Sequence, residues 1–200
     1  GLVVTLQVAV STMRTSALSE INQRYPVDVS VRDYDGPLKS GVVEELRKSE
    51  GVAKVVEISS KQVDLDHRRF SVRNVNAARA ELGLPERMNA SDGVILVSPE
   101  TATSLPGRVD LPGAGQVEVR SSKSVPYDAA VVSESTFEKM PGQSEIREAW
   151  VKLTDRTSAT ALNQVMKVVS PLSSEAEIGG GATMAGILEQ IVNVLLTVLT

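Results

Sequence analysis

The last part of the chain is apolar on nearly every side. Between Ile178 and Thr200 the one charged residue is Glu189, and Glu189, Asn193 and Thr197 recur every four residues as a thin polar stripe. This pattern predicts a helix with a narrow polar strip. A helix that spans a bilayer needs roughly 20 apolar residues. The segment is therefore too short to span a bilayer by itself, and we expect it to be the start of a membrane span.

The first twenty residues show a related pattern, with Arg14 and Glu20 as their only charges. Apolar residues recur at a spacing of three or four, which predicts an amphipathic helix. The segment has neither the basic start nor the cleavage site of a signal peptide, so we expect the outer end of a span that continues upstream. The two helices should pair side by side. The residues predicted to form this stalk are Val3, Leu6, Val10 and Met13 on the first helix and Ile187, Ile191, Val194 and Val198 on the second.

Gly179, Gly180 and Gly181 precede the last helix and predict a flexible hinge between the helix and the body of the protein.

The chain ends also have an alternative interpretation, in which both terminal helices are ordinary helices that pack on one soluble core. A short apolar run alone does not distinguish such a helix from the start of a membrane span.

Two strand–helix–strand units flank the middle of the chain. In the first, valines alternate with polar residues over 27–31, a helix is predicted over 38–49 and a strand over 52–58. In the second, strands predicted at 149–153 and 176–178 enclose a helix over 158–169, which Pro171 should end. Two such units predict an α+β fold with a split layer of the ferredoxin-like type.

The region between these units has a different composition, with dense glycine and proline. Short strands are predicted at 71–75, 94–97, 116–120 and 129–132, and short helices at 77–82, 99–104 and 134–139. This pattern predicts a β-rich insertion. The resulting division is 1–25 for a membrane-proximal helix, 26–59 for the first half of the layer, 60–148 for the insertion, 149–178 for the second half, and 179–200 for the glycine hinge and the start of a second span.

The composition excludes several classes of function. A chain of 200 residues with 42% hydrophobic residues can bury a core without a disulfide or metal. The net charge is −4, from 21 basic and 25 acidic residues, so no basic field attracts nucleic acid. The absence of cysteine excludes disulfides, thiol catalysis and thiolate metal sites. At 3% aromatic residues, stacking platforms for sugars or single strands are hard to build.

Three short motifs were weighed as sites of chemistry. The single histidine, His67, lies among aspartates and arginines, where a solvated charged turn is favoured over a metal ligand or a catalytic base. Asp33-x-Asp35 begins like a calcium loop but lacks the closing Glu, so a turn is favoured. The glycines at 179–181 are not followed by the Lys-Ser/Thr of a phosphate loop. We therefore expect no catalytic, cofactor or metal site and no enzyme activity.

The order of these parts resembles the extracytoplasmic domain of FtsX/MacB-like ABC-transporter permeases. The resemblance is carried by the strand Pro26–Val29 directly after the first helix, by Asp92–Ser98 ahead of a glycine-rich turn, by the strand Trp150–Leu153, and by Gly186–Val192 in the last helix. It covers nearly the whole chain, as a set of patterns. In that family the domain lies between the first and second membrane spans.

The resemblance implies a fold and a function. The layer would be the porter part and the insertion the part often called the sabre. The domain would be non-catalytic, with ATP hydrolysed by a separate ATPase subunit or domain. It would couple ATP-driven motion of the membrane helices to substrate export or to an outer partner. The parent protein would lie in the bacterial cell membrane, with this chain on the extracytoplasmic side.

The resemblance also implies partners: a cytoplasmic ABC ATPase, a second permease copy, and an outer adaptor or substrate protein. The alternative function is a self-contained secreted or surface binding module that uses the β-rich insertion as its contact surface.

Overall fold

Nine strands form one mixed sheet in the computed structural model, which describes residues 1–199. The helices are α1 (Leu2–Arg24), α2 (Val42–Lys48), α3 (Asn76–Leu82), α4 (Pro99–Ser104), α5 (Glu134–Lys139), α6 (Ala159–Leu172) and α7 (Gly181–Leu199). The strands are β1 (Val29–Asp33), β2 (Val52–Leu65), β3 (Arg68–Asn74), β4 (Val94–Val97), β5 (Arg108–Leu111), β6 (Gly115–Ser121), β7 (Ala129–Val131), β8 (Glu145–Leu153) and β9 (Ala176–Gly179). One 3₁₀ turn covers Glu86–Met88.

The two strand–helix–strand units form one ferredoxin-like layer, as the sequence predicts. Its four strands lie in the order β9-β1-β8-β2 and all pair antiparallel. Numbered within the layer this order is 4-1-3-2, the arrangement that a β-α-β-β-α-β chain adopts when its two units interlock. Helices α2 and α6 cover one face, with Val42, Leu46 and Val165 fully buried against the strands.

The β-rich segment between the units continues the same sheet. Strands β3, β7, β4, β6 and β5 follow β2 in that order, with parallel pairs β3–β7 and β4–β6. The connection is β2, which runs for 14 residues and pairs with β8 along one part and with β3 along the other. The predicted boundary at residue 60 thus falls inside a continuous strand.

Other local predictions differ from the structure in instructive ways. Strand β5 was not predicted, because Pro106, Gly107 and Pro112 flank a four-residue run that is too short for its alternation to be distinctive. Pro171 does not end α6, which continues to Leu172. Proline removes one N–H bond but its φ is helical, so the last turn of a helix accommodates it.

The charged segment around His67 forms the turn of the β2–β3 hairpin. Asp66 and His67 have φ values of 49° and 62°, the left-handed conformation that a tight two-residue hairpin requires. His67 is therefore a turn residue, exposed to solvent.

The core has three buried clusters. One lies between the ferredoxin-like layer and helices α2 and α6. A second lies on the opposite face of that layer, where Ile58 and Trp150 pack with Val75 and Leu82 near α3. The third fills the insertion around Phe70, Leu111 and Phe137. The second face of the layer is partly open next to Trp150.

Candidate functional site

Helices α1 and α7 leave the body of the protein at one place, which we call the helix junction: Tyr25–Asp28, Arg156 and Gly180–Ala182. The backbone N–H of Gly181 donates to the carbonyl of Val27 at 2.8 Å, and that of Ala182 donates to the carbonyl of Asp28 at 2.9 Å. The first N–H groups of a helix have no partner within the helix. Here the segment that leads out of α1 accepts from them, so the two helices are joined directly.

Arg156 fixes the junction to the ferredoxin-like layer. Its Nη2 donates to the carbonyl of Tyr25 at 2.9 Å, and its Nε lies 3.6 Å from Oδ1 of Asp28. The other carboxylate oxygen of Asp28 accepts from the backbone N–H of Leu153 on β8 at 3.0 Å. Short polar contacts therefore connect the helix junction to β1 and β8.

The end of α1 is also tied to the insertion. Arg87 Nη2 donates to the carbonyl of Asn22 at 3.1 Å, and Ser124 Oγ donates to the carbonyl of Gln23 at 2.7 Å. Lys123 Nζ lies 3.6 Å from Oε2 of Glu20. These donors meet the carbonyl end of the helix, where unpaired C=O groups favour positive charge. Helix α1 thus contacts both parts of the sheet at its last turn.

The three glycines at the start of α7, Gly179–Gly181, are closely packed. Gly180 has φ +103°, and a Cβ there would lie 2.6 Å from the carbonyl oxygen of Asp28. A Cβ on Gly181 would overlap Arg156 Nη2 and lie 2.5 Å from the carbonyl oxygen of Tyr25. Glycine is needed at these positions for close approach of two backbone segments. A hinge at Gly179–Gly181 stays a prediction, and it would have to work within these contacts.

Helices α1 and α7 lie antiparallel beyond the junction, with Arg14 Nη2 2.7 Å from Oε1 of Glu189. Of the residues predicted to pair, Leu6 and Val10 are half-buried. Val3, Met13, Ile187, Ile191, Val194 and Val198 are exposed, at 57%, 65%, 48%, 53%, 62% and 78%. On α7 the buried position is Val192, with Leu188 and Leu196 half-buried one turn to either side.

The covered face of α7 is therefore a different one from the face that was expected to pair with α1. Helix α7 is apolar on nearly every side, so hydrophobicity alone cannot select a face. Glu189 is half-buried in its ion pair and lies next to Leu188 on the covered side. The apolar side that carries Ile187, Ile191 and Val194 is consequently left open.

The two helices carry most of the exposed large apolar side chains of the described residues. Those on α1 are Leu2, Val3, Val4, Val8 and Met13, and those on α7 are Ile187, Ile191, Val194, Leu195, Val198 and Leu199. A soluble monomer rarely exposes so continuous an apolar surface. Of the described helices, α7 alone is long and apolar enough to cross a membrane, with a mean hydropathy of 1.7 and 11% of that stretch buried. This differs from the expectation that the segment is too short to span a bilayer by itself.

A cavity of about 540 Å³ lies beside the helix junction, between the open face of the ferredoxin-like layer and the insertion. Tyr25 and Gly180 of the junction line one side, and Ser98 and Tyr127 of the insertion line another. Trp150 of β8 also lines it. The cavity is partly open to solvent.

A row of charged residues crosses the sheet along this cavity. In the strand register, Arg32 on β1 lies directly opposite Glu177 on β9 and Glu148 on β8. Glu148 is also bound by Arg73 of β3, with Nη1 2.9 Å from Oε2 and side chains only 4% and 8% exposed. Asp128, ahead of β7, holds Arg32 through two contacts of 2.9 and 3.1 Å. The network connects the layer to the insertion.

The surroundings shift the pKa values of this network in opposite directions. Burial lowers the pKa of Arg73, and the neighbouring Glu148 only partly opposes it. Burial acts on Arg32 in the same sense, but the hydrogen-bonded Asp128 outweighs it and raises the pKa of Arg32. Burial also raises the pKa of Tyr34, whose ring lies 4.3 Å from the Arg32 guanidinium. Arg32 is therefore held in its charged form.

Metal ligands do not gather in the described part of the chain: no group of three or more His, Asp or Glu side chains is placed to hold an ion. Asp33 and Asp35, considered as a calcium loop, form a turn in which Asp33 Oδ1 accepts from the backbone N–H of Asp35 at 2.9 Å.

Sequence reasoning missed the charged row and the cavity. The structure buries Arg73, which the sequence does not indicate. Arg32 and Glu148 each lie one residue outside the predicted strands at 27–31 and 149–153, and Arg32 continues the polar side of its alternation, so neither is marked as buried. Their pairing with Arg73 and Asp128 depends on where the insertion lies, which one sequence does not give.

Comparison with known proteins gives structural similarities only. No protein-family model matches the chain, and no curated protein matches it. A candidate lipoprotein from Bacillus anthracis aligns over 76% of this chain and 96% of its own length, with 11% identity and a TM-score of 0.47. The periplasmic region of MacB from Actinobacillus actinomycetemcomitans aligns over 80% and 92%, with 16% identity and a TM-score of 0.41.

A third similar structure is the extracellular domain of the noncanonic ABC-type transporter YknZ from Gram-positive bacteria. It aligns over 76% of this chain and 99% of its own length, with 11% identity and a TM-score of 0.38. Two of these three structures are the periplasmic region or the extracellular domain of a transporter.

Proposed function

We propose that this chain is the extracytoplasmic domain of an FtsX/MacB-like ABC-transporter permease. In this proposal α1 and α7 are the outer ends of two membrane spans, and the sheet is the body that they carry. ATP-driven motion of the spans reaches the body through the helix junction and acts on substrate export or on an outer partner. The domain is itself non-catalytic, and ATP is hydrolysed in a separate subunit or domain.

One observation carries the proposal: two antiparallel helices leave a single junction with apolar faces that the body does not cover. Water disfavours such faces, at roughly 1.5–3 kcal/mol for each large apolar side chain that finds no cover. A lipid environment removes this cost. It also accounts for the near absence of charge on both helices, because charges are expensive inside a bilayer.

The contacts at the junction support a mechanical role. Arg156 joins the end of α1 to Asp28 beside β1, while Arg87 and Ser124 join it to the insertion. A rotation of α1 cannot occur without either moving these partners or breaking several hydrogen bonds. Such contacts make the sheet and the helices move together, which is what coupling between a membrane and an outer body requires.

The proposal includes a location and partners. The parent protein lies in a bacterial cell membrane with this chain on the extracytoplasmic side. A cytoplasmic ABC ATPase drives it through the membrane part, a second permease copy completes the transporter, and an outer adaptor or substrate protein contacts the body. The body carries no basic surface for nucleic acid, because its charges are mixed and sum to −4.

This chain has no cysteine, so location can be tested with a single cysteine introduced into it, in the full-length protein with any cysteine elsewhere replaced. Asp110→Cys places a thiol on an exposed position of β5 in the insertion, and Val198→Cys places one near the end of α7. We expect a membrane-impermeant maleimide to label position 110 in cells whose inner membrane is intact. Position 198 should react only after detergent has removed the lipid.

Two results would overturn the proposal. If position 110 is labelled only after the inner membrane is opened, the body lies in the cytoplasm. If both positions are labelled equally in a protein that leaves the cell or washes off the membrane, the chain is a self-contained binding module, and its apolar helix faces are covered by another protein.

A further inference from the structure

We propose that the cavity beside the helix junction binds an uncharged amphipathic molecule of a few hundred daltons. Its apolar ring or chain would contact the tyrosines at the rim, and a hydroxyl or amide N–H would reach the carboxylate of Glu148. This inference concerns the body of the protein and does not depend on how the terminal helices are covered.

The aromatic residues give the first argument. The whole chain has one Trp, three Tyr and two Phe. Both Phe residues, Phe70 and Phe137, are buried in the core of the insertion. The other four aromatic residues, Tyr25, Tyr34, Tyr127 and Trp150, all line this one cavity. In a chain so poor in aromatic side chains, such a concentration in one place needs a cause other than core packing.

The exposure of these rings favours a role in binding a ligand over a role in packing the core. Tyr25, Tyr34 and Tyr127 are 38%, 49% and 60% exposed, while Trp150 is 5% exposed and forms the floor. Two rings are already oriented by arginines, since the guanidinium of Arg32 lies 4.3 Å from the Tyr34 ring centre and that of Arg68 lies 4.6 Å from the Tyr127 ring centre. Rigid, half-exposed rings around a concave surface provide apolar contact at low entropic cost.

The size of the cavity sets the size of the ligand. Its volume of about 540 Å³ lies within the range of roughly 300–1,000 Å³ that is typical of sites for small molecules. The cavity is half-open, between Gly180 on one side and Pro99 and Pro126 on the other. A compact molecule therefore fits, with part of it exposed to solvent.

The charged residues at the cavity determine the chemical class of the ligand. The charges at the cavity balance: the four basic residues Arg24, Arg32, Arg73 and Lys123 are matched by four acidic ones, Glu100, Glu148, Glu177 and, paired with Arg32, Asp128. Oε2 of Glu148 lies 2.9 Å from Nη1 of Arg73 but is not aligned with it as a hydrogen-bond acceptor. A carboxylate has about four lone-pair sites, so Glu148 keeps the capacity to accept from a donor on a ligand. An uncharged molecule with an O–H or N–H group meets both conditions.

The single tryptophan permits a direct test on the 200-residue chain. The probe is N-phenyl-1-naphthylamine, which is uncharged, apolar and carries one N–H donor. Excitation of Trp150 sensitises the emission of a probe in the cavity, and the variants below distinguish such a probe from one on the exposed faces of the helices. We expect saturable, one-to-one sensitised emission.

The variants and a matched ligand give the decisive comparisons. Tyr127→Ala and Tyr34→Ala should each weaken binding about two- to tenfold, since one ring contact contributes roughly 0.5–1.5 kcal/mol. The N-methylated probe, which lacks the donor, should bind about ten- to a hundredfold more weakly, because a hydrogen bond to a charged group contributes roughly 1.5–3 kcal/mol. Met166→Ala on α6 and Val194→Ser on α7 alter exposed apolar residues elsewhere and should leave sensitised binding unchanged.

Three results would overturn the inference. One is sensitised emission that Val194→Ser reduces and Tyr127→Ala does not, which places the probe on the helices. Another is equal affinity for the probe and its N-methyl analogue, which removes the role of Glu148. The third is binding of the anionic 1-anilinonaphthalene-8-sulfonate in preference to the uncharged probe, which assigns the cavity to anions.

Discussion

Arg14 on α1 and Glu189 on α7 form an ion pair with Nη2 2.7 Å from Oε1, although 175 positions separate them in the sequence. Arg14 is the only charge in the first nineteen residues, and Glu189 is the only charge on α7. Both side chains are partly exposed, so the pair contributes little stability. Its consequence is geometric: it sets the register of two apolar helices and places Leu188 and Val192 on the covered side.

The covered and open faces of α7 should respond differently to a charge. Val192→Asp buries a carboxylate between the helices, and we expect it to destabilise the packing of α7 by about 2–4 kcal/mol. Val194→Asp, two residues away on the open face, should leave the stability of the isolated chain nearly unchanged. Hydrogen exchange of the α7 amides, together with thermal unfolding, measures both. Equal effects would mean that the helices do not pair as described.

In the membrane-bound protein the ranking of these two variants changes. Val194→Asp would then expose a charge to lipid, so we expect a loss of membrane insertion that the isolated chain does not report. Measuring the membrane-bound fraction of each variant in cells separates the two faces. Normal insertion of Val194→Asp would argue against lipid as the environment of that face.

Replacement by alanine should change the free energy of unfolding in opposite directions at Gly180 and Gly186. At Gly180 the φ is +103° and a Cβ would lie 2.6 Å from the Asp28 carbonyl, so Gly180→Ala should cost about 1–3 kcal/mol. Gly186, in the first half of α7, has no atom within 4 Å of a built Cβ, so Gly186→Ala should stabilise by about 0.5–1 kcal/mol. Denaturant unfolding measures both values. A neutral Gly180→Ala would mean that the junction is loose enough to act as a free hinge.

The buried pair between Arg73 and Glu148 should be strongly coupled. Arg73→Met leaves a buried carboxylate without its partner and should cost about 3–5 kcal/mol. The double variant Arg73→Met/Glu148→Leu should recover most of that loss. The pair of Arg120 and Glu118 on β6, which is exposed, serves as the control and should show no measurable coupling. A double-mutant cycle by urea unfolding would contradict this account if the two pairs gave equal coupling.

The stability of the insertion should fall in acid through Asp92. Hydrogen bonds from Ser133 and then Ser135 lower the pKa of Asp92 below its ordinary value of 3.8. A lowered folded-state pKa stabilises the fold above the ordinary value, and this contribution disappears as the pH falls through the folded-state pKa. Asp92→Asn should therefore be less stable than the wild type near neutral pH.

The same comparison across pH provides the check. The stability difference between wild type and Asp92→Asn should shrink as the pH falls from about 5 to about 2. Asp110→Asn, on an exposed position of β5, controls for the loss of one negative charge. A difference that stays constant over this interval would mean that the serines do not bind the ionised carboxylate.

Periodicity was sufficient for the ferredoxin-like layer. Val29 and Val31 alternate with Ser30 and Arg32, and the structure buries the two valines fully against the helices. Helices α4 and α5 occupy the predicted ranges, and serines cap their starts: Ser98 and Ser133 each accept a backbone N–H at the third helical position. Signals of this kind involve residues that are close in the sequence, so they can be recognised in a single sequence.

Long-range relationships were beyond the sequence. Strand β2 continues to Leu65 because β3 pairs with its second half, and nothing between residues 58 and 65 alone distinguishes that extension. The covered face of α7 depends on Arg14, which lies at the other end of the chain. The cavity combines Tyr34, Tyr127 and Trp150 from three segments whose proximity follows from the sheet order.

The most direct test of the central claim is the distance between two copies of the body during ATP turnover. Spin labels at Asp110→Cys, in the full transporter held in lipid nanodiscs, report the separation of the insertions with and without trapped ATP. We predict a shift in the distance distribution on ATP trapping, and loss of that shift in Arg156→Ala while ATP hydrolysis continues, because Arg156 joins the junction to the layer. An unchanged distribution in the wild type under active ATP hydrolysis would contradict the account.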